Sequence, residues 1–390
     1  FFLPSFPIDC NLSLSISINL FKFSARELGL LFLKRNPVLP SITVSIDPPW
    51  LLAKIGLLIA CASIDISQSL YYIYPSKNMG EMTMKKVFTL ALVATAIAMA
   101  PAHAETVKIG YMTTLSGKAG IIGKQMQNAV ELALEHKGGK LGGMDAEVIF
   151  VDDQRKPDVA KQLANRLVKS DRVDIVAGVI WSNLLMAVHK PVTRSGTLLI
   201  SSNAGPSTVA GEGCHKNFFS MSWQNDQTPE AMGKYMQDSG ISSVYLMAPN
   251  YQAGKDMISG FKRYYKGKIE GEVYTKLGQS DFQAELSALR AVGPETTMVF
   301  QPGGMGINFV KQWKQAGMDS SSKLYQIFSV DGVSIPALKE SALGILGTMS
   351  WAPDLNNEIN KKFVSDYKAK HGGYPSFYAA QAYDTILAVD

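Results

Sequence analysis

The chain has 390 residues, 46% hydrophobic and 18% charged, with 38 Lys+Arg, 33 Asp+Glu and three cysteines. After residue 104 it carries 30 basic and 28 acidic residues with the signs interspersed, so the basic excess gives no argument for a nucleic-acid partner. Cys214 is the only cysteine in that part, and His136, His189, His215 and His371 have no H-E-x-x-H or C-x-x-C spacing, which leaves no basis for a disulfide framework or a zinc site.

Residues 1–83 are rich in Phe, Leu, Ile, Ser and Pro without sustained periodicity. They read as an upstream stretch translated in frame, with the natural start at Met84, Met79 or Met82, and are expected to add no packed core. Met84-Lys85-Lys86 then supplies a short basic start. An uncharged apolar run follows at 87–100, and Pro101-Ala102-His103-Ala104 closes with small residues two apart. That is the layout of a secretory signal peptide over 84–104. The run is shorter than the roughly 20 residues of a membrane span, so Glu105 is the expected mature start, in the periplasm.

Beyond it, strands and helices alternate. Strand 107–112 leads through a Gly-rich loop to a helix with Met126, Ala129, Val130, Ala133 and Leu134 on one face. Strand 146–152, a helix opening at Pro157, strand 174–179, helix 183–194 and strand 197–201 follow. The alternation restarts with strand 243–248, helix 253–265, strand 269–275, helix 281–291, strand 296–301, helix 307–316 and strand 324–329. Helices near 357–371 and 376–390 end the chain, which is expected to be truncated there because the last helix has no cap. Such βα spacing predicts parallel sheets flanked by helices, an α/β protein of two lobes joined by a hinge. The expected boundaries are 105–222 plus 350–390 for the N-terminal lobe and 223–349 for the C-terminal lobe.

Catalytic motifs fail on inspection. The loop Gly117-Lys118-Ala119-Gly120-Ile121-Ile122-Gly123-Lys124-Gln125 has neither the glycine spacing of a phosphate loop nor a Ser or Thr after its lysine. No G-x-G-x-x-G follows the first strand, and Gly205-Pro206-Ser207 lacks the second glycine of a hydrolase elbow. What recurs is small polar residues just past strand ends: Trp181-Ser182-Asn183, Ser202-Asn203-Ala204-Gly205, Pro249-Asn250-Tyr251 and Asp331-Gly332. Ser and Asn at such places also serve as ordinary helix caps. Four such loops in two lobes point to a ligand crevice at the carboxyl ends of the strands.

Several stretches carry a family resemblance: Tyr111-Met112-Thr113-Thr114-Leu115-Ser116-Gly117, Val151-Asp152-Asp153 with Pro157, Gly196-Thr197-Leu198-Leu199-Ile200-Ser201, Ser222-Trp223-Gln224-Asn225-Asp226-Gln227 and Tyr374-Pro375-Ser376. From Thr106 onward the chain resembles ABC-importer solute-binding proteins of the leucine/isoleucine/valine-binding type, which have the type I periplasmic binding protein fold. The resemblance implies that Ser182 bonds a ligand carboxylate, that the backbone at Ala204 completes its cradle, and that Asp331 meets an α-ammonium. Gly205 stands where a threonine is usual, and Ile122, Ala253 and Met305 fall where pocket tyrosines are frequent. Trp181 and Tyr251 offer aromatic surfaces instead, and the run Ile180-Trp181-Ser182-Asn183 is similar to binders of plant-derived aromatic carboxylates.

The expected ligand set is therefore Trp181, Ser182, Asn203, Ala204, Gly205, Tyr251, Met305 and Asp331, with no catalytic residue, metal or cofactor implied. The resemblance implies a receptor for a branched-chain or related amino acid, with the transmembrane permease of an ABC importer as partner. The alternatives are the same role for an aromatic carboxylate such as a hydroxycinnamate, or a ligand-sensing ectodomain. An enzyme would need a nucleophile–base pair, which the scattered histidines do not offer.

Overall fold

Strand β1 (Thr106–Thr113) is buried from Ile109 onward, as a parallel strand covered on both faces must be. Helix α1 (Gly120–His136) follows, with Met126, Ala129, Val130 and Ala133 fully buried. Burying side chains the size of Met126 and Val130 contributes about 1.5–3 kcal/mol each. Strands β2 (Lys140–Leu141) and β3 (Met144–Asp152) lead to α2 (Pro157–Arg166). Pro157 occupies its first turn, where a missing N–H costs nothing, and Asp158 meets the positive helix end. Next come β4 (Ile175–Gly178), α3 (Ser182–Thr193), β5 (Leu198–Ser201), the short α4 (Ser207–Ala210) and β6 (Phe218–Ser220). The sheet order is β2-β3-β1-β4-β5-β6, parallel except for the antiparallel β2–β3 pair.

The second lobe uses α5 (Gln227–Asp238), β7 (Ser243–Pro249), α6 (Gln252–Tyr264), β8 (Lys268–Thr275), α7 (Gln283–Val292) and β9 (Thr296–Phe300). It continues with α8 (Gly304–Gln315), β10 (Lys323–Ile327), α9 (Ile335–Leu338) and β11 (Leu346–Thr348). Its five strands are all parallel, in the order β11-β10-β9-β7-β8. Two last helices, α10 (Glu358–His371) and α11 (Phe377–Val389), return to the first lobe and pack against α1. There the Tyr383 hydroxyl lies 2.8 Å from His136 Nδ1. Asn357 caps α10 and Ser376 caps α11 through their side chains.

This computed structural model describes residues 105–390, so the readings of 1–83 and of the export signal at 84–104 lie outside the described residues. Among those described, no helix is long and apolar enough to cross a membrane. No helix is expected between 202 and 242, yet α5 lies there and contains Pro229 and Gly233, residue types that disfavour helix interiors. Pro229 falls in the first turn, where it is tolerated. Gly233 is where α5 crosses α6: a Cβ there would lie 2.3 Å from the carbonyl of Phe261. Strands β2, β6 and β11 are two or three residues long, too short for alternation to register.

Candidate functional site

One central strand in each lobe ends in backbone that L-residues seldom adopt. Val179, just past β4, has φ +68°, and Phe328, just past β10, has φ +56°. For bulky or β-branched residues this costs of order 1–3 kcal/mol and persists only where neighbours enforce it. The Val179 N–H donates to the Met112 carbonyl at 2.7 Å, and its own carbonyl accepts from the Ala204 N–H at 3.1 Å. This elbow turns the chain out of the sheet, so that Trp181 caps the start of α3 and Ser182 is its first residue.

Trp181 is then fixed by a chain of hydrogen bonds. Its Nε1 donates to Thr114 Oγ1 at 2.9 Å, and that hydroxyl donates to the Asp153 carboxylate. Burial pushes the Asp153 pKa up, outweighing the bonds from Thr114 and the Arg155 N–H. The guanidinium of Arg155 sits 5.6 Å from the centre of the Trp181 ring, within cation–π range.

From Trp181 an aromatic belt crosses to the second lobe. Tyr251 is tilted on Trp181 at 6.4 Å and stacked on Phe300 at 6.3 Å. Phe328 is stacked on Trp223 at 4.5 Å and on Phe377 at 4.8 Å. Trp223 and Phe377 also pack on each other at 5.6 Å, and this three-ring cluster explains how Phe328 is held in its strained conformation. The belt surrounds a cavity of about 20 Å³ between the lobes. Its first-lobe wall is Ile180, Trp181, Ser182, Asn203 and Ala204. Tyr251, Ala253, Met257, Phe300, Pro302 and Phe328 face them, with Trp223, Asn225 and Tyr378 closing the sides. Such a space holds about one water, whereas small-molecule pockets run to about 300–1,000 Å³. A solute therefore enters only if the lobes part or the aromatic side chains turn.

The polar groups at this cavity have a definite sense. Asn225 Nδ2 donates to Asp256 Oδ2 at 2.9 Å and to Ser182 Oγ at 3.0 Å. Only the amide NH₂ can face a carboxylate in this way, so the orientation follows from the network. Ser182 accepts this bond, and its own O–H has no acceptor among the described residues. The first N–H groups of α3, on Ser182 and Asn183, have no partner within the helix and lie at its positive end. Together these donors suit a carboxylate. On the acceptor side, Asn203 spends its Nδ2 on the Ile180 carbonyl at 2.8 Å, which leaves its buried Oδ1 without a partner among the described residues. Burial pushes the phenols of Tyr251 and Tyr378 well above the usual tyrosine value, keeping both protonated. No group of three or more His, Cys, Asp or Glu among the described residues could hold a metal ion.

Of the expected ligand residues, the structure brings Trp181, Ser182, Asn203, Ala204 and Tyr251 to the cavity wall. Gly205, Met305 and Asp331 do not line it. The Ala204 N–H is spent on Val179, so the carboxylate donor expected from its backbone is not that group. Met305 is buried elsewhere, with its sulfur accepting from the Gly278 N–H at 3.1 Å. Asp331 caps its own turn: Oδ1 accepts from the N–H groups of Val333 and Ser334, both at 2.9 Å. Its Oδ2 is buried without a partner among the described residues, and burial raises the carboxyl pKa to about 6.

Gly205 has a backbone role, since a Cβ there would lie 1.9 Å from the carbonyl of Trp223. No side chain fits, which explains the missing threonine. Gly205→Ala should destabilise the protein by about 1–3 kcal/mol through overpacking, measured by urea unfolding; an unchanged midpoint would refute the close approach. Sequence reading missed Trp223, Asn225, Phe300, Phe328 and Tyr378 as cavity residues. Phe300 and Phe328 look like ordinary core at strand ends, and Tyr378 is brought in only by the return of α11.

The model of a family described as periplasmic binding protein matches residues 106–389. Leu/Ile/Val-binding protein homolog 6 of Brucella melitensis is 27% identical over 318 residues, covering 78% of this chain and 80% of its own. A solute-binding protein of an ABC transporter from R. palustris, solved in complex with benzoate, is 28% identical with a TM-score of 0.70, covering 73% of this chain and 79% of that one. Its counterpart from Rhodopseudomonas palustris BisB5, in complex with 3,4-dihydroxybenzoic acid, is 29% identical with a TM-score of 0.69 at the same coverages.

Proposed function

The chain belongs to the periplasmic binding protein family, and on that premise we propose that it is the exported receptor of an ABC importer, binding an aromatic carboxylate between its lobes. The observation that carries this reading is the cavity wall. Unspent donors of Ser182 and the α3 N-terminus stand at one place, and six aromatic residues line the cavity beside them. A flat ring stacked among Trp181, Tyr251, Phe300 and Phe328 would exploit that geometry. The two structural relatives that hold benzoate and 3,4-dihydroxybenzoate support the same class.

A second reading, a branched-chain amino acid, is favoured by the unpartnered Oδ2 of Asp331 and by the name of the Brucella relative. In either case residues 84–104 would direct export, and a membrane permease would receive the solute from the closed lobes. Residues 105–222 with 350–390 form one lobe and 223–349 the other, with the crossings at 222–223 and 348–350 as hinges.

A thermal-shift panel of benzoate, 4-hydroxybenzoate, 4-hydroxycinnamate, leucine and isoleucine tests the class. A solute at about a thousand times its Kd stabilises by about 4 kcal/mol, so the aromatic acids should raise the melting temperature more than the amino acids. Small-angle scattering should show compaction with the best binder, because closure is what encloses the solute. A response to leucine alone would reverse the choice between solutes, and no compaction would remove the hinge.

A further inference from the structure

Asp256 lies on α6 of the second lobe and is 8% exposed. Its Oδ1 accepts from Gln252 Nε2, one turn earlier on the same helix, at 2.8 Å. Its Oδ2 reaches the first lobe, accepting from the Ser207 N–H at the start of α4 at 3.2 Å and from Asn225 Nδ2 at 2.9 Å. Asn225 is itself tied to the first lobe, since its N–H donates to the Gly205 carbonyl at 2.7 Å. It is also the group that donates to Ser182 Oγ. One amide thus joins the contact between the lobes to the hydroxyl at the cavity wall.

We propose that Asp256 and Asn225 form a latch that couples closure of the lobes to the presentation of the Ser182 hydroxyl. The inference rests on reading the cavity as a carboxylate site. With the lobes together, Asp256 holds the Asn225 amide with its NH₂ inward, so Ser182 must accept from it and keeps its O–H free to donate to the solute. When the lobes part, Asn225, just past the crossing at 222–223, stays with the first lobe through its bonds to Gly205 and Ser182, and Asp256 leaves both it and Ser207 for water. The freed amide can turn its carbonyl toward Ser182, whose hydrogen is then spent inside the protein. Closure therefore commits the Ser182 donor to the solute, in addition to the α3 N–H groups that are free in either form. Asp256 and Asn225 act through Ser182 as positioning residues.

Asn225→Ala and Asp256→Ala should each weaken 4-hydroxybenzoate binding by about tenfold or more, as expected for hydrogen bonds to a charged group. The loss should fall on the dissociation rate, followed by the fluorescence of the cavity tryptophans, with association within about twofold of wild type. In a Ser182→Ala background, Asn225→Ala should add less than about twofold, because the two act as one unit. Asp256→Asn, which keeps an acceptor for the amide, should restore most of the affinity. Additive losses, or losses confined to association, would overturn the latch.

Scattering without solute provides a separate arm. Asp256→Ala should shift the unliganded protein toward a larger open form, and curves identical to wild type would overturn the latch whichever solute is bound. If leucine binds and 4-hydroxybenzoate does not, the proposed solute class fails, and the same cycle measured on leucine decides the latch.

Discussion

Replacing Ser182 by alanine should weaken binding of an aromatic carboxylate by about ten- to a hundredfold, measured calorimetrically with 4-hydroxybenzoate. Ser182 is 2% exposed, and its hydroxyl accepts from Asn225 and has no acceptor for its hydrogen among the described residues. A hydrogen bond to a charged group is worth about 1.5–3 kcal/mol, and 1.4 kcal/mol is tenfold in affinity. Folding stability should fall much less, because Asn225 keeps its bond to Asp256 and α3 keeps its first-turn N–H groups. That split between affinity and stability separates a solute-binding role from a packing role. Threonine at the same place retains a hydroxyl and should recover much of the loss if its methyl is accommodated. A Ser182→Ala protein that binds the acid as tightly as wild type would mean that the carboxylate is held elsewhere, and the Arg155 guanidinium beside Trp181 would be the next group to test.

The fold was legible in the chain because βα units announce themselves locally. Alternating β-branched runs and amphipathic stripes such as Met126, Ala129, Val130 and Ala133 place nearly every long element within a few residues of its observed bounds. What the pattern could not convey depends on tertiary contact. Gly233 and Pro229 look like helix breakers until α6 is seen against α5. Gly205 looks like a lost threonine until the Trp223 carbonyl is seen against it. The site was legible in the same uneven way. Trp181, Ser182, Asn203 and Tyr251 follow strand ends and could be found from spacing. Phe328 and Tyr378 could not, because an aromatic residue at a strand end or on an apolar helix gives the same signal in a core as in a pocket. Asn225 lies in the irregular stretch between β6 and α5, where neither periodicity exists, and its role shows only through Ser182 and Asp256.

Asp331→Asn separates the two solute classes, and the pH dependence of affinity should differ between them as well. The carboxyl is 3% exposed and its pKa is raised to about 6, by burial first and against the bonds from Ser334 and Val333. A carboxyl whose folded pKa lies above its ordinary value of about 4 takes up protons on folding. Its unfavourable contribution is absent at low pH and grows as pH rises through the interval from about 4 to about 6. Unliganded wild type should therefore lose about 2–3 kcal/mol of stability from this group across that interval, and Asp331→Asn should abolish the dependence.

If an amino acid is the solute, its ammonium must meet the ionised Oδ2. Affinity would then fall as pH drops below about 6, and the asparagine variant would strand a buried charge at a cost of about 3–5 kcal/mol, more than a hundredfold. If the solute is an aromatic acid, no cation arrives. Tyr378, which lines the cavity and whose ionisation Asp331 helps to suppress, keeps its phenol as a neutral partner for a ring substituent. The variant should then cost less than about 1.5 kcal/mol, and affinity should stay flat between pH 8 and pH 6. The spent Oδ1 and the position of Asp331 outside the cavity wall favour this second outcome. A hundredfold loss of leucine binding in Asp331→Asn, together with a fall in wild-type affinity below pH 6, would instead make this carboxylate the anchor of an amino-acid receptor.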